Sequence, residues 1–467
     1  MAARLDRLAA IDSAATDRVR VRIVGFLLLF LLMFGGGGSP SPFPELLCEL
    51  AAAVAIAAWV LLPSVQPGAS TAASIRPAIV ICALLLVIPI LQLVPLPPAL
   101  WQAFPGRDTL RDSLALTQAA DSWRPLSIAP LTTLASLLSL LPPLTVMVMV
   151  SRLGENARLT VITLVAGFGL ASVLLGTLQL ASAGGNALMF YGQPDRGVLF
   201  GFQANRNTEA DILLSGLLAI CALRGAGSRS RARPLDLAYA ALGLLLVLAV
   251  VLTRSRTGIF LVPVVLAFGL AATIPDGLRN FAARMTWRRL AAGGGLLIIA
   301  ALVGLLVART PVVAPVVARF DFSREFRPEL WTDARFAIAQ FWPLGSGLGT
   351  FVQAFQPAER LEVLDPLLAN RAHNDYLELA LEGGIPLLAV WAAAQAIIAW
   401  RLFDSARHRL VLPRPQRLFA MGILVLAALH SFVDYPLRSM AMAALTAVAA
   451  GLVLAARPAG SGRKLTD

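Results

Sequence analysis

The sequence predicts an all-α polytopic membrane protein of about twelve transmembrane helices, with one long extracytoplasmic loop that itself carries short helices. Three observations carry this. The 467-residue chain is 58% hydrophobic and 14% charged, where a soluble protein of this length holds roughly 25% charged residues. Many apolar runs approach the ~20 residues that span a bilayer. The arginines fall between those runs and concentrate on alternate loops. A formal charge of +12 raises nucleic acid as a partner. The placement of the arginines argues against it and makes the bilayer the partner.

The apolar runs lie at 22–34, 45–62, 78–95, 131–150, 159–182, 206–223, 236–253, 258–274, 291–308, 384–400, 418–433 and 439–456. They place helices 1–9 in residues 1–308, a large loop at 309–383 and helices 10–12 in 384–467, all in one integrated membrane domain. With the N-terminus in the cytoplasm, the segments 1–22, 63–77, 151–158, 224–235, 275–290, 401–417 and 457–467 hold 24 of the 39 Lys and Arg. The outside turns at 35–44 and 434–438 hold none and one. Both termini are therefore expected in the cytoplasm. No small-residue cleavage site clearly follows the first run, which reads as a retained helix. Cys48, Cys82 and Cys221 lie in or beside apolar runs without metal or redox spacing, and read as buried small side chains.

Two outside segments are long. Residues 96–132 are rich in proline and polar groups, with a short interfacial helix expected around 110–119. Residues 309–383 contain an amphipathic pattern at 328–341, a glycine-rich turn and a second helix beginning near His373. A loop of this length between transmembrane helices is usually functional. Gly345, Gly347 and Gly349 fit two readings, a backbone that approaches a ligand or a tight turn packed on the membrane domain. There is no Walker lysine and no strand–helix context, which argues against a nucleotide site.

The chain has three histidines. His373 opens a helix at a membrane face, where an imidazole can take a proton from an attacking hydroxyl; a polar helix start is the plainer alternative. Asp375 either holds that ring or caps the helix. His430 reads as an interfacial anchor, and His408 as a solvated residue of a basic cytoplasmic loop.

The most informative residues are arginines. The turns Ala204–Thr208 and Thr253–Gly258 carry Arg206, Arg254 and Arg256 on the side where short loops normally lack arginine. Guanidinium forks bind phosphate oxygens in pairs and stay charged when partly buried. Helix N-termini add N–H groups aimed at an anion, and ionisable groups at membrane depth mark function by default. Snorkelling to headgroup phosphates fits one arginine well and three on short turns less well. An anion site is therefore expected. Glu209 and Asp211 fall in a first helical turn, where the dipole alone accounts for acids. No metal-ligand set assembles, so metal-independent chemistry without a cofactor is expected.

These elements together resemble the O-antigen ligase and Wzy-type polysaccharide polymerase superfamily of bacterial membrane glycosyltransferases. The resemblance rests on Asn205-Arg-Asn207, Ser255-Arg-Thr-Gly258 and Pro343-Leu-Gly-Ser-Gly-Leu-Gly-Thr-Phe351. It rests further on His373-Asn-Asp-Tyr-Leu377 with Glu382-Gly-Gly-Ile-Pro386, and on His430-Ser-Phe-Val-Asp-Tyr-Pro436. It covers roughly residues 160–455. The chain departs from many relatives after Asn207, where Thr208-Glu209 stands in place of an aromatic or histidine and then Phe.

The resemblance implies a GT-C-like fold in a bacterial inner membrane, with the active site at the periplasmic face. It implies an undecaprenyl-pyrophosphate-linked glycan as donor and a lipid-linked glycan or lipid A–core as acceptor. It further implies metal-independent, inverting transfer. His373, Arg254 and Arg206 become the catalytic candidates. Arg256, Arg438, Arg371, Asn205 and Asp375 become candidates for pyrophosphate or glycan contacts. The late 430–436 motif leans the reading toward polymerase over ligase. Two other classes stay open. A transporter or flippase of lipid-linked glycan would show repeated halves and broken midplane helices; the sequence shows no repeat, and its polar groups gather at one face. A structural assembly factor would tolerate loss of Arg254 and His373.

Overall fold

The computed structural model describes residues 2–38, 42–62, 69–182, 188–192, 197–227, 233–274, 314–318, 320, 326–363, 368–407 and 410–458. In chain order its helices are α1 (Ala2–Phe34), α2 (Pro42–Val60), α3 (Ala69–Gln92), α4 (Pro98–Trp101), α5 (Asp108–Ala115), α6 (Pro130–Ser151), α7 (Glu155–Ala181) and α8 (Arg206–Ala226). They continue with α9 (Arg233–Leu252), α10 (Arg256–Thr273), α11 (Ala314–Ala318), α12 (Arg327–Phe341), α13 (Phe351–Phe355), α14 (Asp375–Ala406), α15 (Arg414–His430) and α16 (Met440–Leu454). The strands among the described residues form two short antiparallel pairs, Pro95–Leu96 with Arg124–Pro125 and Leu410–Val411 with Arg457–Pro458.

Helices occupy eleven of the twelve apolar runs; the run at 291–308 and His408 lie outside the described residues. Among the described residues, seven helices are long and apolar enough to cross a membrane: α2, the 75–92 part of α3, α6, α7, the 234–252 part of α9, α10 and α14. This is an all-α, multi-pass membrane architecture. Where a short helix is expected around 110–119 the structure has α5, at Asp108–Ala115, and the helix expected at 328–341 is α12.

The chain divides into two compact units, described separately. The first comprises residues 1–158, 326–412 and 427–467. At its centre is α16, buried along nearly its whole length and packed on α6 and α1. Glycines allow the close approach. A side chain at Gly451 would begin 2.7 Å from the Met147 carbonyl, and one at Gly35 would begin 2.8 Å from the Met440 Cβ. Small residues of this kind let helices touch where lipid offers no hydrophobic drive. The same unit holds a smaller apolar cluster outside the long helices, built from Leu330, Ala334, Ala337 and Phe341 of α12 with Phe351, Phe355 and Leu381.

The second unit comprises residues 159–325 and 413–426. Its centre is α8, flanked by α9 and α10 and buried continuously from Thr208 to Ile220. A helix buried on every side belongs in a core rather than at a lipid surface. Gly169 and Gly216 face each other where α7 meets α8. A Cβ on Gly258 would stand 2.5 Å from that of Ala210, so α8 and α10 nearly touch at their first turns.

Candidate active site

In the second unit, local sequence builds two helix starts side by side. Asn205 caps α8 by accepting a hydrogen bond from the Asn207 amide at 2.8 Å. Ser255 caps α10 by accepting one from the Gly258 amide at 3.0 Å. The two helix starts are joined, since the Ser255 hydroxyl also donates to Asn207 Oδ1, in the first turn of α8, at 2.7 Å. Arg206 and Arg256 are the first residues of the two helices. Two N-termini with their positive dipole ends therefore lie together, each opening on an arginine.

Arg254 precedes this pair in a left-handed backbone conformation, φ 54°. Its guanidinium lies over Gly197, where a Cβ would stand 3.0 Å from Nη2. The Gly197–Gln203 segment is fixed there. The Leu199 amide donates to the Leu252 carbonyl, and the Gln179 side chain donates to the Gly201 carbonyl. Buried Glu209 accepts a hydrogen bond from Ser172 at 2.7 Å beneath Gly201, so its role in that turn is structural. No carboxylate forms an ion pair with Arg254 among the described residues. Arg206, Arg254 and Arg256 are all half-buried.

In the first unit, His373 precedes α14, whose cap is Asn374: its side chain accepts from the amides of Tyr376 and Leu377. His373 is also left-handed, φ 48°. Of the three non-glycine residues with positive φ among the described residues, two are thus Arg254 and His373, the third being Gln118 in a turn. Such conformations cost of order 1–3 kcal/mol each and gather at functional sites. His373 Nδ1 lies 2.9 Å from Asp434 Oδ1. A carboxylate only accepts, so Nδ1 is the donor in this contact, and in a neutral ring that leaves Nε2 as the basic nitrogen. The ring sits between Tyr435, 4.9 Å away, and Phe326, 5.4 Å away. His430 Nε2 stands 3.9 Å from the other Asp434 oxygen, fully buried rather than at an interface.

Asp375, Glu378 and Glu382 lie on one face of α14 and hold the other two candidate arginines. Arg438 meets Glu382 at 2.7 Å, Glu378 at 3.3 Å and Asp375 at 3.9 Å. Arg371 meets Glu378 at 3.4 Å. Burial alone depresses the Arg438 guanidinium, but Glu382, Glu378 and Asp375 outweigh it and hold the proton above the ordinary arginine range. Asp375 also accepts from the Ser431 hydroxyl and the Leu437 amide, which ties α14 to the 431–438 turn. Three acids already neutralise these two arginines. That separates them from Arg254 as candidates for an incoming anion.

The glycine-rich turn is packed, not open. Gly345, Gly347 and Gly349 all have positive φ. The amides of Gly345, Ser346, Gly347 and Leu348 donate to Phe341 O, Leu381 O, Glu382 O and Gln92 Oε1 respectively. Those N–H groups are spent within the protein and cannot also cradle a phosphate. The turn docks on a break in α14 at Gly384, φ 52° and ψ −147°. There the Ile385 amide donates to Pro343 O, and Gln92 Nε2 donates to Glu382 O. The groups freed by the break are thus taken by protein, unlike those lining an ion path. Arg107 seals the same turn from below through the carbonyls of Pro105, Leu126 and Gly345, and burial pushes its guanidinium down to about 10. A Cβ on Gly384 would begin 2.0 Å from Pro343 O, in addition to the left-handed strain. Gly384→Ala is expected to cost about 2–4 kcal/mol, read as a lowered unfolding midpoint of the detergent-solubilised protein.

Residues 241–392 match the family model described as O-antigen ligase. Over those residues the chain is similar to O-antigen ligases. The matched stretch spans Arg254, Arg256, Arg371, His373 and Asp375, while Asn205, Arg206, Asp434 and Arg438 lie outside it. No curated protein matches the chain. That match, in a multi-pass helical chain, supports a role in O-antigen ligation or polymerisation, with a glycosyltransferase-like activity on lipid-linked glycan and acceptor in the membrane. Asp434, the partner of His373, carries no local sign of its role. It stands inside the 430–436 motif but 61 residues away from the ring it holds.

Proposed function

We propose that the protein is an inner-membrane glycosyltransferase acting at the periplasmic face. It takes a glycan from undecaprenyl pyrophosphate and passes it either to the next lipid-linked repeat unit or to an acceptor such as lipid A–core. The observation that carries this is the joined pair of helix starts, with Arg206 and Arg256 at their first positions and Arg254 beside them. A glycosyl pyrophosphate leaves as a polyanion, and preformed cationic groups stabilise the charge as it develops. Guanidinium forks match phosphate oxygens bidentately, and two helix N-termini add N–H donors and dipole. Asn205 acts by capping α8 and so orienting Arg206.

His373 supplies the base. With Nδ1 held by Asp434, Nε2 takes the proton of the acceptor hydroxyl as its oxygen bonds to the anomeric carbon. The anomeric C–O bond to pyrophosphate breaks, its electron pair leaves with the phosphate, and attack from the opposite face inverts the configuration. Asp434 then stabilises the imidazolium, the orienting role familiar from hydrolase triads. Protonated arginines carry the leaving-group charge, so no metal enters this scheme. Arg371, Arg438 and Asp375 act in holding α14 rather than in contacting pyrophosphate.

A deletion strain tests this, with surface glycans resolved by gel and the lipid-linked pool by mass spectrometry. Single repeats accumulating on the carrier identify a polymerase. Long chains persisting on the carrier beside bare lipid A–core identify a ligase. Unchanged profiles in both pools would overturn the proposal and favour transport.

A further inference from the structure

We infer that the exposed ring of Phe326 is the stacking platform of an acceptor-sugar subsite beside His373; this rests on the glycosyltransfer reading above. The buried face of α12 runs through Leu330, Ala334, Ala337 and Phe341. Phe326 lies one turn before Leu330, in line with this stripe, yet it is 54% exposed. Its ring stands 5.4 Å from the His373 imidazole, at 84° to it. The placement is not loose. Trp331 donates through Nε1 to the Ala372 carbonyl at 3.0 Å, pinning the start of α12 to the residue before His373. Trp331 itself packs on the apolar cluster of Leu330, Ala334 and Phe351.

Around His373 the two rings differ. Tyr435 is 8% exposed and walls the imidazole from within. Phe326 is exposed, with the Arg327 guanidinium standing over its ring 6.0 Å from the centre. A pyranose has the complementary shape, with a face of C–H groups that carries partial positive charge and an equator of hydroxyls. An aromatic face is electron-rich and attracts such C–H groups. A sugar stacked on Phe326 directs its equatorial hydroxyls toward the neighbouring imidazole. Nε2 is the ring nitrogen left to receive one, because Asp434 occupies Nδ1. The ligand class is therefore a hexopyranose with an unbroken C–H face, at the accepting end of a glycan.

The test uses purified full-length protein in nanodiscs with two probes extracted from a deletion strain, lipid-linked glycan and lipid A–core. Whichever extract accepts glycan in the wild type is titrated as acceptor. Phe326→Ala is expected to raise the half-saturating acceptor concentration about tenfold, with the maximal rate within about twofold and the donor requirement unchanged. Phe326→Trp restores acceptor affinity, and Phe326→Leu, equally apolar but not aromatic, does not. Leucine performing like phenylalanine, or alanine weakening donor and acceptor alike, overturns the subsite. Full activity in His373→Asn would instead sink the underlying reading, so the two failures are distinguishable.

Discussion

Replacing His373 by Asn is expected to lower glycan transfer roughly 10²–10⁴-fold, the usual loss on removing a positioned general base. Asparagine is the informative choice. It tolerates the left-handed backbone that position 373 requires, and its amide can still donate to Asp434. The protein should therefore fold and express as before, and the loss should fall on the rate of product formation rather than on acceptor affinity. Asp434→Asn should follow it. An amide in place of the carboxylate no longer fixes Nδ1 as the protonated nitrogen, so the imidazole offers the wrong face to the hydroxyl. Transfer by His373→Asn at more than a tenth of the wild-type rate would remove His373 as the base.

The second large effect is expected at Arg254. Arg254→Ala should reduce turnover about 10²–10³-fold by analogy with loss of one preorganised donor to a developing anion, and Arg254→Lys should recover little, because an ammonium lacks the fork. Radiolabelled lipid-linked glycan and purified protein measure both. Arg438 makes the control. Arg438→Met leaves Asp375, Glu378 and Glu382 buried without their main counter-charge. That should cost about 3–5 kcal/mol of stability, seen as lost yield and a lower unfolding midpoint. Two arginines on one chain should thus fail differently, one in chemistry and one in folding. Arg254→Ala with normal turnover would mean that the paired helix starts hold no leaving group.

Much of this was legible in the sequence because it is local. Asn205 and Ser255 announce helix starts through cap chemistry, and Arg206, Arg254 and Arg256 stand out against the charge rule for outside turns. Pairings between distant segments were not legible. Asp375, Glu378 and Glu382 show helical spacing in the sequence, but nothing local says that Arg438 closes over them. Arg438 and Arg371 therefore read as cations awaiting a ligand. The three glycines of the 345–349 turn fit a phosphate cradle or a packed turn equally until Gln92, from a helix some 250 residues earlier, is seen to take the Leu348 amide. His430 looked like an anchor because its burial depends on how α15 meets the 431–438 turn.

The left-handed backbone at positions 254 and 373 sets stability against use. Glycine at either position would relieve the steric cost of a Cβ with positive φ, at the expense of greater freedom in the unfolded chain. It would also delete the guanidinium or the imidazole. Selection for robustness alone would accept such a change, whereas selection for the reaction would keep rejecting it. Populations of this gene held without need for their surface glycan should accumulate glycine at 254 and 373 sooner than at buried sites such as Leu330.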